Sequence, residues 1–279
     1  MKLSEKDLKL MANTIRQDIV KMLTEAKSGH PGGSLGLVDL FTVLYFNSMN
    51  HDPKKPNWSD RDRFVLSNGH VCPVLYTTLA NAGYFPKEEL MELRKLGSKL
   101  QGHPHRGSVP GIENSSGPLG QGISQAVGMA IVAKREHTNW KVYSVIGDGE
   151  MNEGQVWEAF LCAAKYKLDN LIVFIDRNNI QIDGTSDDVL PLEPLVDKMK
   201  SFGFETVEVD GNNISELLRV LGSPKFNNKP YAIIAKTIPG KGVSFMENKF
   251  GWHGKAPNKE QGEQAIKELE AERKKLEAS

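Results

Sequence analysis

The sequence predicts an α/β fold in which a mostly parallel central sheet carries helices on both faces, and three observations predict it. Residues 142–146 (VYSVI), a Gly147-Asp148-Gly149 turn, a helical stretch at 153–166 and residues 171–175 (LIVFI) compose a strand–helix–strand unit. Residues 63–67 read as a short buried strand that runs through Asn68-Gly69-His70 into a helix at 74–82. Further strand candidates at 205–209 and 231–235 flank helix-like segments, as expected of a sheet covered on both faces.

The remaining elements follow in order. Leu8, Met11, Ile15, Ile19 and Met22 recur at spacings of three and four, the stripe of an amphipathic helix over 5–26. Ser28-Gly29-His30-Pro31-Gly32-Gly33 should end that helix and open a loop, and the apolar segment 37–46 follows at helical length. Residues 102–122, dense in Gly, Pro, Ser and His, are too long for an ordinary connection and suggest a functional loop. An Ala-, Gly- and Met-rich helix is expected at 123–135. Residues 236–261 are polar and rich in Gly and Lys, ahead of a charged helix bearing Ile266, Leu269 and Leu276. At 279 residues a single domain over 1–279 is expected, with 236–279 a loop and helix of that same domain.

Composition excludes several classes. The 35 basic and 35 acidic residues cancel, so there is no net field to hold nucleic acid or an anionic membrane, and neither is expected as a partner. The start, MKLSEKDLKL, lacks the apolar core of a secretion signal, and no apolar stretch approaches membrane-spanning length. Two cysteines, Cys72 and Cys162, lack C-x-x-C spacing and fit buried core thiols in a reducing, cytoplasmic setting. No fixed-period repeat or low-complexity tract is visible.

In open α/β sheets, ligands bind beyond the carboxyl ends of the strands, where Gly147-Asp148-Gly149 lies. The glycines let backbone approach a phosphate, but a carboxylate there repels it unless a cation intervenes. The pairing therefore suggests a divalent metal bridging protein to diphosphate, with magnesium favoured by oxygen ligands. The next strand ends at Asp176-Arg177-Asn178-Asn179-Ile180, which can add an amide oxygen and a backbone carbonyl. The alternative is a plain turn with Asn178 as a cap. Glycines at 147, 149 and 154 do not match the G-x-G-x-x-G dinucleotide spacing, and no G-x-x-x-x-G-K-[ST] phosphate loop exists.

Of the seven histidines, His30, His70, His103, His105 and His253 each adjoin Gly or Pro, whereas His51 and His137 do not. Loop histidines are candidates for proton transfer near neutral pH. His105 reads as a surface residue, and a zinc site at His103-x-His105 lacks further ligands. Gly32-Gly33-Ser34-Leu35-Gly36 formally matches a hydrolase nucleophile elbow, but a helix precedes it where an elbow needs a strand.

Taken together, these residues resemble the N-terminal, diphosphate-binding part of the transketolase family over almost the whole chain. The resemblance rests on Ser28-Gly29-His30-Pro31-Gly32, Leu66-Ser67-Asn68-Gly69-His70, Gly102-His103-Pro104 and Gly117-Pro118-Leu119-Gly120-Gln121-Gly122. Gly147-Asp148-Gly149 with Glu153-Gly154, Asn178-x-Ile180 and Trp252-His253-Gly254 extend it. It implies a thiamine diphosphate-binding fold and transfer of a two-carbon ketol unit from a ketose phosphate such as xylulose 5-phosphate to an aldose phosphate such as ribose 5-phosphate.

The resemblance also implies roles. Asp148, the side-chain oxygen of Asn178 and the carbonyl of Ile180 would hold Mg2+, with Ca2+ or Mn2+ as substitutes. Gly149, His70 and His253 would donate hydrogen bonds to the diphosphate, and Gly117, Leu119 and Ile182 would lie along the cofactor's rings. His30, His70, His103 and His253 would surround the ketose, with His30 and His253 as proton carriers. Glu153, and with it Glu158, corresponds to interface carboxylates, and Glu153 is expected to be hydrogen-bonded.

In the family, the glutamate that activates the cofactor's pyrimidine belongs to a following domain, and this sequence ends at Ser279. A separate subunit bearing the pyrimidine-binding and C-terminal domains is therefore expected, in a 2+2 heterotetramer. The other readings are a non-catalytic thiamine diphosphate-binding module, or a component of another thiamine enzyme such as a 1-deoxyxylulose 5-phosphate synthase or an oxoacid dehydrogenase.

Overall fold

A computed structural model describes residues 2–222 and 227–278. Five strands, β1 (Arg63–Leu66), β2 (Val142–Gly147), β3 (Leu171–Arg177), β4 (Glu205–Asp210) and β5 (Tyr231–Lys236), form one sheet in the order β1-β2-β3-β5-β4. All pairs are parallel. The fold class is thus α/β with a parallel sheet, as the sequence predicts.

Helices lie on both faces because the inner strands are apolar on both. Tyr143, Val145, Ile172, Phe174 and Ile233 point into one buried layer, and Val142, Ile146, Val173, Ile175 and Ile234 into the other. Alternate side chains along a strand face opposite ways, so strands sandwiched between helices read as unbroken apolar runs. The first layer is closed by α1 (Glu5–Ala26), α4 (Cys72–Asn81), α9 (Ile214–Gly222) and α10 (Lys259–Ala278). The second is closed by α5 (Gln121–Arg135), α6 (Gly154–Lys165) and α8 (Leu195–Ser201). A short α7 (Ser186–Val189) precedes α8.

Helix α1 has the bounds its periodicity predicts. Ser4 caps it by accepting the Asp7 N–H at 3.2 Å, and Leu8, Ile15, Ile19 and Leu23 are fully buried. Helix α10 lies along α1, with Leu269 buried and the Asn13 amide donating to the Leu269 carbonyl at 2.9 Å. Ile266 and Leu276 are only half-buried.

Two expectations are corrected. The Pro31-Gly32-Gly33 segment is a short buried helix, α2 (Pro31–Gly36), rather than a loop, and the stretch expected as one helix over 37–46 divides into α3 (Val38–Val43) and a π turn, Leu44–Ser48. Proline is tolerated at a helix's first turn because its missing N–H is not needed there. The glycines serve close approach: a Cβ on Gly32 would stand 3.1 Å from the Trp252 carbonyl oxygen, and one on Gly36 3.0 Å from that of Ile238. Cys72 is buried as expected, but Cys162 is half-buried on α6. Among the described residues, no helix is long and apolar enough to cross a membrane.

Candidate active site

A cleft of about 360 Å³ opens at the carboxyl ends of β1, β2 and β3. His30, His70, His103, Gly117, Leu119, Asp148, Gly149, Asn178, Ile180, Ile182 and His253 all line it. The structure thus brings together every predicted site residue except Glu153 and Glu158.

One end of the cleft is built from β2 and β3. Their register pairs Gly147 with Asp176, and the next residue, Asp148, extends the ladder by donating its N–H to the Asp176 carbonyl at 3.1 Å. The Asp148 carboxylate is 1% exposed. It accepts from Gly149 N at 2.8 Å, Asn179 N at 2.7 Å and Arg177 Nη1 at 2.9 Å. Asn179 adopts a left-handed φ of 56°, a conformation asparagine tolerates, and this turns its N–H toward Asp148. Asn178 folds the turn locally: its side-chain oxygen accepts from Ile180 N at 2.9 Å, while its NH2 donates to Asp176 at 2.8 Å. Arg177 also pairs with Asp187 and Glu193, so one guanidinium joins the cleft to the segment that follows β3.

Burial raises the Asp148 carboxyl above its usual range, opposed by Arg177 and the two N–H donors. Asp176, wholly buried, is pushed up to about 7 by burial, with the Asp148 charge adding, against hydrogen bonds from Thr237 and Asn178. Glu150 lines the cleft as well. Its carboxylate accepts from Gly120 N at 2.8 Å, Gly147 N at 3.0 Å and the Ser67 hydroxyl. Burial raises its carboxyl too.

The other end is a group of imidazoles. Ring centroids are 5.1 Å apart for His30–His70, 5.2 Å for His70–His253 and 5.7 Å for His30–His253. His30 sits just before α2, whose glycines admit the 252–253 backbone and so bring His253 against it. His70 follows β1 in a 3-10 turn, where a Cβ on Gly69 would lie 2.5 Å from the Ser116 hydroxyl. The exposed His103 ring packs beside Gly117.

Burial, then His253, Arg94 and His103, push His30 down to about 4. Burial, then His253, His30 and His103, push His70 down to about 3. Burial lowers His253, and burial with Arg94 lowers His103. All four rings are therefore neutral at pH 7, each offering one donor and one acceptor nitrogen. No hydrogen bond among the described residues reaches any of these ring nitrogens, and His30 Nδ1 is buried with no partner.

Glu153 stands apart from the cleft. Its side chain is exposed at the start of α6, packs its methylene carbons over Gly120 and makes no hydrogen bond among the described residues of this chain. Glu158 is likewise exposed on α6. The Gly149 N–H, expected to face a diphosphate, donates to Asp148. His105 is exposed and does not line the cleft. Sequence reasoning missed Asn68, Glu150 and Gln181, which do line it. Asn68 stands in the quoted strand-end motif and Glu150 directly follows Gly149, so adjacency to those motifs was the available signal.

The site fits the groups that the resemblance implies. Among the described residues, no three His, Cys, Asp or Glu side chains gather around a common point for a metal. A metal here would rest on Asp148, the Asn178 amide oxygen and the Ile180 carbonyl, an all-oxygen set suited to a hard cation. Two buried polar atoms in the same cleft, His30 Nδ1 and Asn68 Oδ1, lack any partner in the protein. Buried polar groups are ordinarily satisfied, so both await a polar ligand or water.

Comparison with known proteins agrees with this geometry. Residues 8–276 match the family described as transketolase, thiamine diphosphate binding domain. The chain is 42% identical over 271 residues to one subunit of the apulose-4-phosphate transketolase of Phocaeicola vulgatus, covering 97% of this chain and 96% of that protein. It is 43% identical over 267 residues to a 6-deoxy-6-sulfo-D-fructose transketolase subunit from a Clostridium species, covering 95% and 97%. The crystal structure of transketolase from Campylobacter jejuni superposes with a TM-score of 0.90 at 34% identity, covering 98% of this chain but 46% of that one. The chain therefore spans nearly all of the subunit-type relatives and under half of the solved enzyme.

Proposed function

The chain belongs to the transketolase family, matching its thiamine diphosphate-binding domain, and from that premise we propose that it is the N-terminal subunit of a two-chain transketolase. The observation that carries the proposal is the convergence of the metal-type oxygen donors and four neutral histidines on one cleft. Thiamine diphosphate, when bound, supplies the chemistry that cleaves a ketose beside its carbonyl and passes the two-carbon fragment to an aldose. Asp148, Asn178 and Ile180 hold Mg2+, with Ca2+ or Mn2+ able to replace it, and the metal offsets diphosphate charge beside a carboxylate. His70 and His253 donate to the diphosphate, while Gly117, Leu119 and Ile182 give the rings an apolar wall. His30 and His253, neutral at pH 7, take up and return the proton of a sugar hydroxyl. Glu153 acts at the surface of contact with a neighbouring chain.

The pyrimidine-binding and C-terminal domains come from a separate subunit, in a 2+2 heterotetramer with the cofactor between chains. The naming of both relatives as subunits supports this. The free thiols suit a reducing compartment, and a cytoplasmic location completes the proposal. Xylulose 5-phosphate and ribose 5-phosphate, the pair of the pentose phosphate pathway, are the proposed donor and acceptor. A second reading, a specialised ketose, is favoured by relatives named for apulose 4-phosphate and for a sulfofructose.

The test is a donor panel. The chain is isolated with its partner, supplied with thiamine diphosphate and Mg2+, and offered pentulose, hexulose and apulose phosphates and the sulfofructose, each with an aldose phosphate. Transfer from xylulose 5-phosphate supports the first reading, and transfer from only a branched or sulfonated donor the second. Cofactor binding without transfer from any donor returns the chain to a non-catalytic module.

A further inference from the structure

Arg94 lies behind the histidine end of the cleft and is not among its lining residues. It adopts a left-handed φ of 61°, and its N–H donates to the Leu100 carbonyl at 2.9 Å, folding the 94–102 segment back on itself. Its Nη1 donates to the Ser28 hydroxyl at 2.7 Å, two residues before His30. Its Nη2 donates to the Gly102 carbonyl at 3.4 Å, one residue before His103. A Cβ on Gly102 would stand 2.8 Å from Arg94 Nε, so the glycine of the Gly-His-Pro turn is what admits the guanidinium. From α4, the Cys72 thiol donates to the same Gly102 carbonyl at 3.1 Å and the Tyr76 hydroxyl to the Gln101 carbonyl at 2.8 Å. The turn that presents His103 is therefore fixed from two sides.

Among the described residues Arg94 forms no ion pair with a carboxylate, and its buried Nε has no partner. Its neighbour Lys95, by contrast, pairs with Glu92 and Glu25. A guanidinium without a counter-charge is unusual in a stabilising role, because its burial is not offset by attraction.

We propose that Arg94 is a positioning residue for the proposed reaction: one guanidinium ties the His30 loop to the His103 turn and fixes the two rings relative to each other. Its unpaired charge also disfavours a second proton on either ring. The groups facing His30 are His70, His103, His253 and Arg94, and Arg94 faces His103 as well. Cys72, its thiol pushed up to about 12, and Tyr76, raised by burial, are uncharged at neutral pH. Among the described groups facing these rings, Arg94 is thus the permanent cation acting on both. The role rests on the histidines being the proton carriers proposed above, and its test is separable from that reading.

The test titrates the histidine ring protons of the full chain by NMR, without cofactor, partner or sugar, in the wild type, Arg94→Met and Arg94→Lys. Arg94→Met should move the His30 and His103 midpoints up and leave His253, lowered by burial alone, in place. Arg94→Lys, which keeps the charge and loses the fork, should titrate as the wild type. In the assembled enzyme both variants should lose about 10- to 100-fold in kcat, the scale of a misplaced catalytic group. Unchanged His30 and His103 midpoints in Arg94→Met, or wild-type kcat in both variants, would overturn the proposal. Should Arg94→Met fail to fold by circular dichroism, Ser28→Ala removes the Nη1 contact alone and should still lower kcat several-fold; wild-type kcat there would overturn the positioning role. Failure of the transketolase reading shows separately, as absence of transfer by the wild type.

Discussion

The two ends of the cleft solve opposite problems. At the carboxylate end the Asp148 carboxylate and the Asn178 amide are met inside the protein: Asp148 by Gly149, Asn179 and Arg177, and Asn178 by Asp176 and Ile180. At the histidine end three rings stand within 5.1–5.7 Å of each other with no hydrogen bond to any ring nitrogen among the described residues. The β2–β3 register and local turn chemistry hold the first end, while the second is held by packing of loop segments and leaves its polar atoms for a ligand. Stability should therefore be vested in the carboxylate end and reactivity in the histidine end.

Asp148→Asn should break the comparison most severely. It removes a buried charge and leaves Arg177 without that partner, a loss of about 3 kcal/mol or more. The corresponding drop in metal-dependent thiamine diphosphate binding, about 100-fold or more, is read by calorimetry. Next, Glu150→Gln turns an NH2 or a weaker acceptor toward the Gly120 and Gly147 N–H groups. Denaturant unfolding should show a loss of about 1–3 kcal/mol.

The histidine end should respond to acid in the opposite sense to its mutation. His30 and His70 have folded-state values of about 4 and about 3, below the ordinary 6.5. Their contribution is complete above the unfolded value and is lost as pH falls from 6.5 toward about 4 for His30 and about 3 for His70, because only the unfolded chain takes up the proton there. The slope is about 1.4 kcal/mol per pH unit for each such histidine. His70→Asn should flatten this dependence and raise stability at about pH 5 relative to the wild type, while lowering activity; a melting series across pH reads it. The smallest effect is expected at the rim. Ile182 is 75% exposed, so Ile182→Ala should change unfolding free energy by under about 0.5 kcal/mol and show itself only in cofactor affinity.

Much of this was legible in the sequence because it is local. Strands β2, β3 and β5 read as apolar runs, α1 as a stripe from Leu8 to Met22, and the site as Gly-flanked Asp and His residues at strand ends. What was hidden is non-local. Helix α2 could not be read from Pro31-Gly32-Gly33, because its stability comes from the 238–239 and 252–253 backbone packed on its glycines. Glu150 looks like a surface residue until Ser67 and Gly120 are folded against it, and Arg94 has no motif of its own, since its partners lie at 28 and 102. Glu153, expected at a subunit interface, is exposed in the single chain, where its carbons meet Gly120 and its carboxylate no donor among the described residues.

The most direct test of the central claim is two-carbon transfer by the complex recovered on the tagged chain, comparing wild-type and Asp148→Asn baits. Transfer from a ketose phosphate to an aldose phosphate that requires thiamine diphosphate and a divalent cation, and that disappears with the Asp148→Asn bait although the same partner is recovered, is the predicted result. Equal transfer with both baits, or none across the donor panel from a wild-type complex saturated with cofactor, would contradict it.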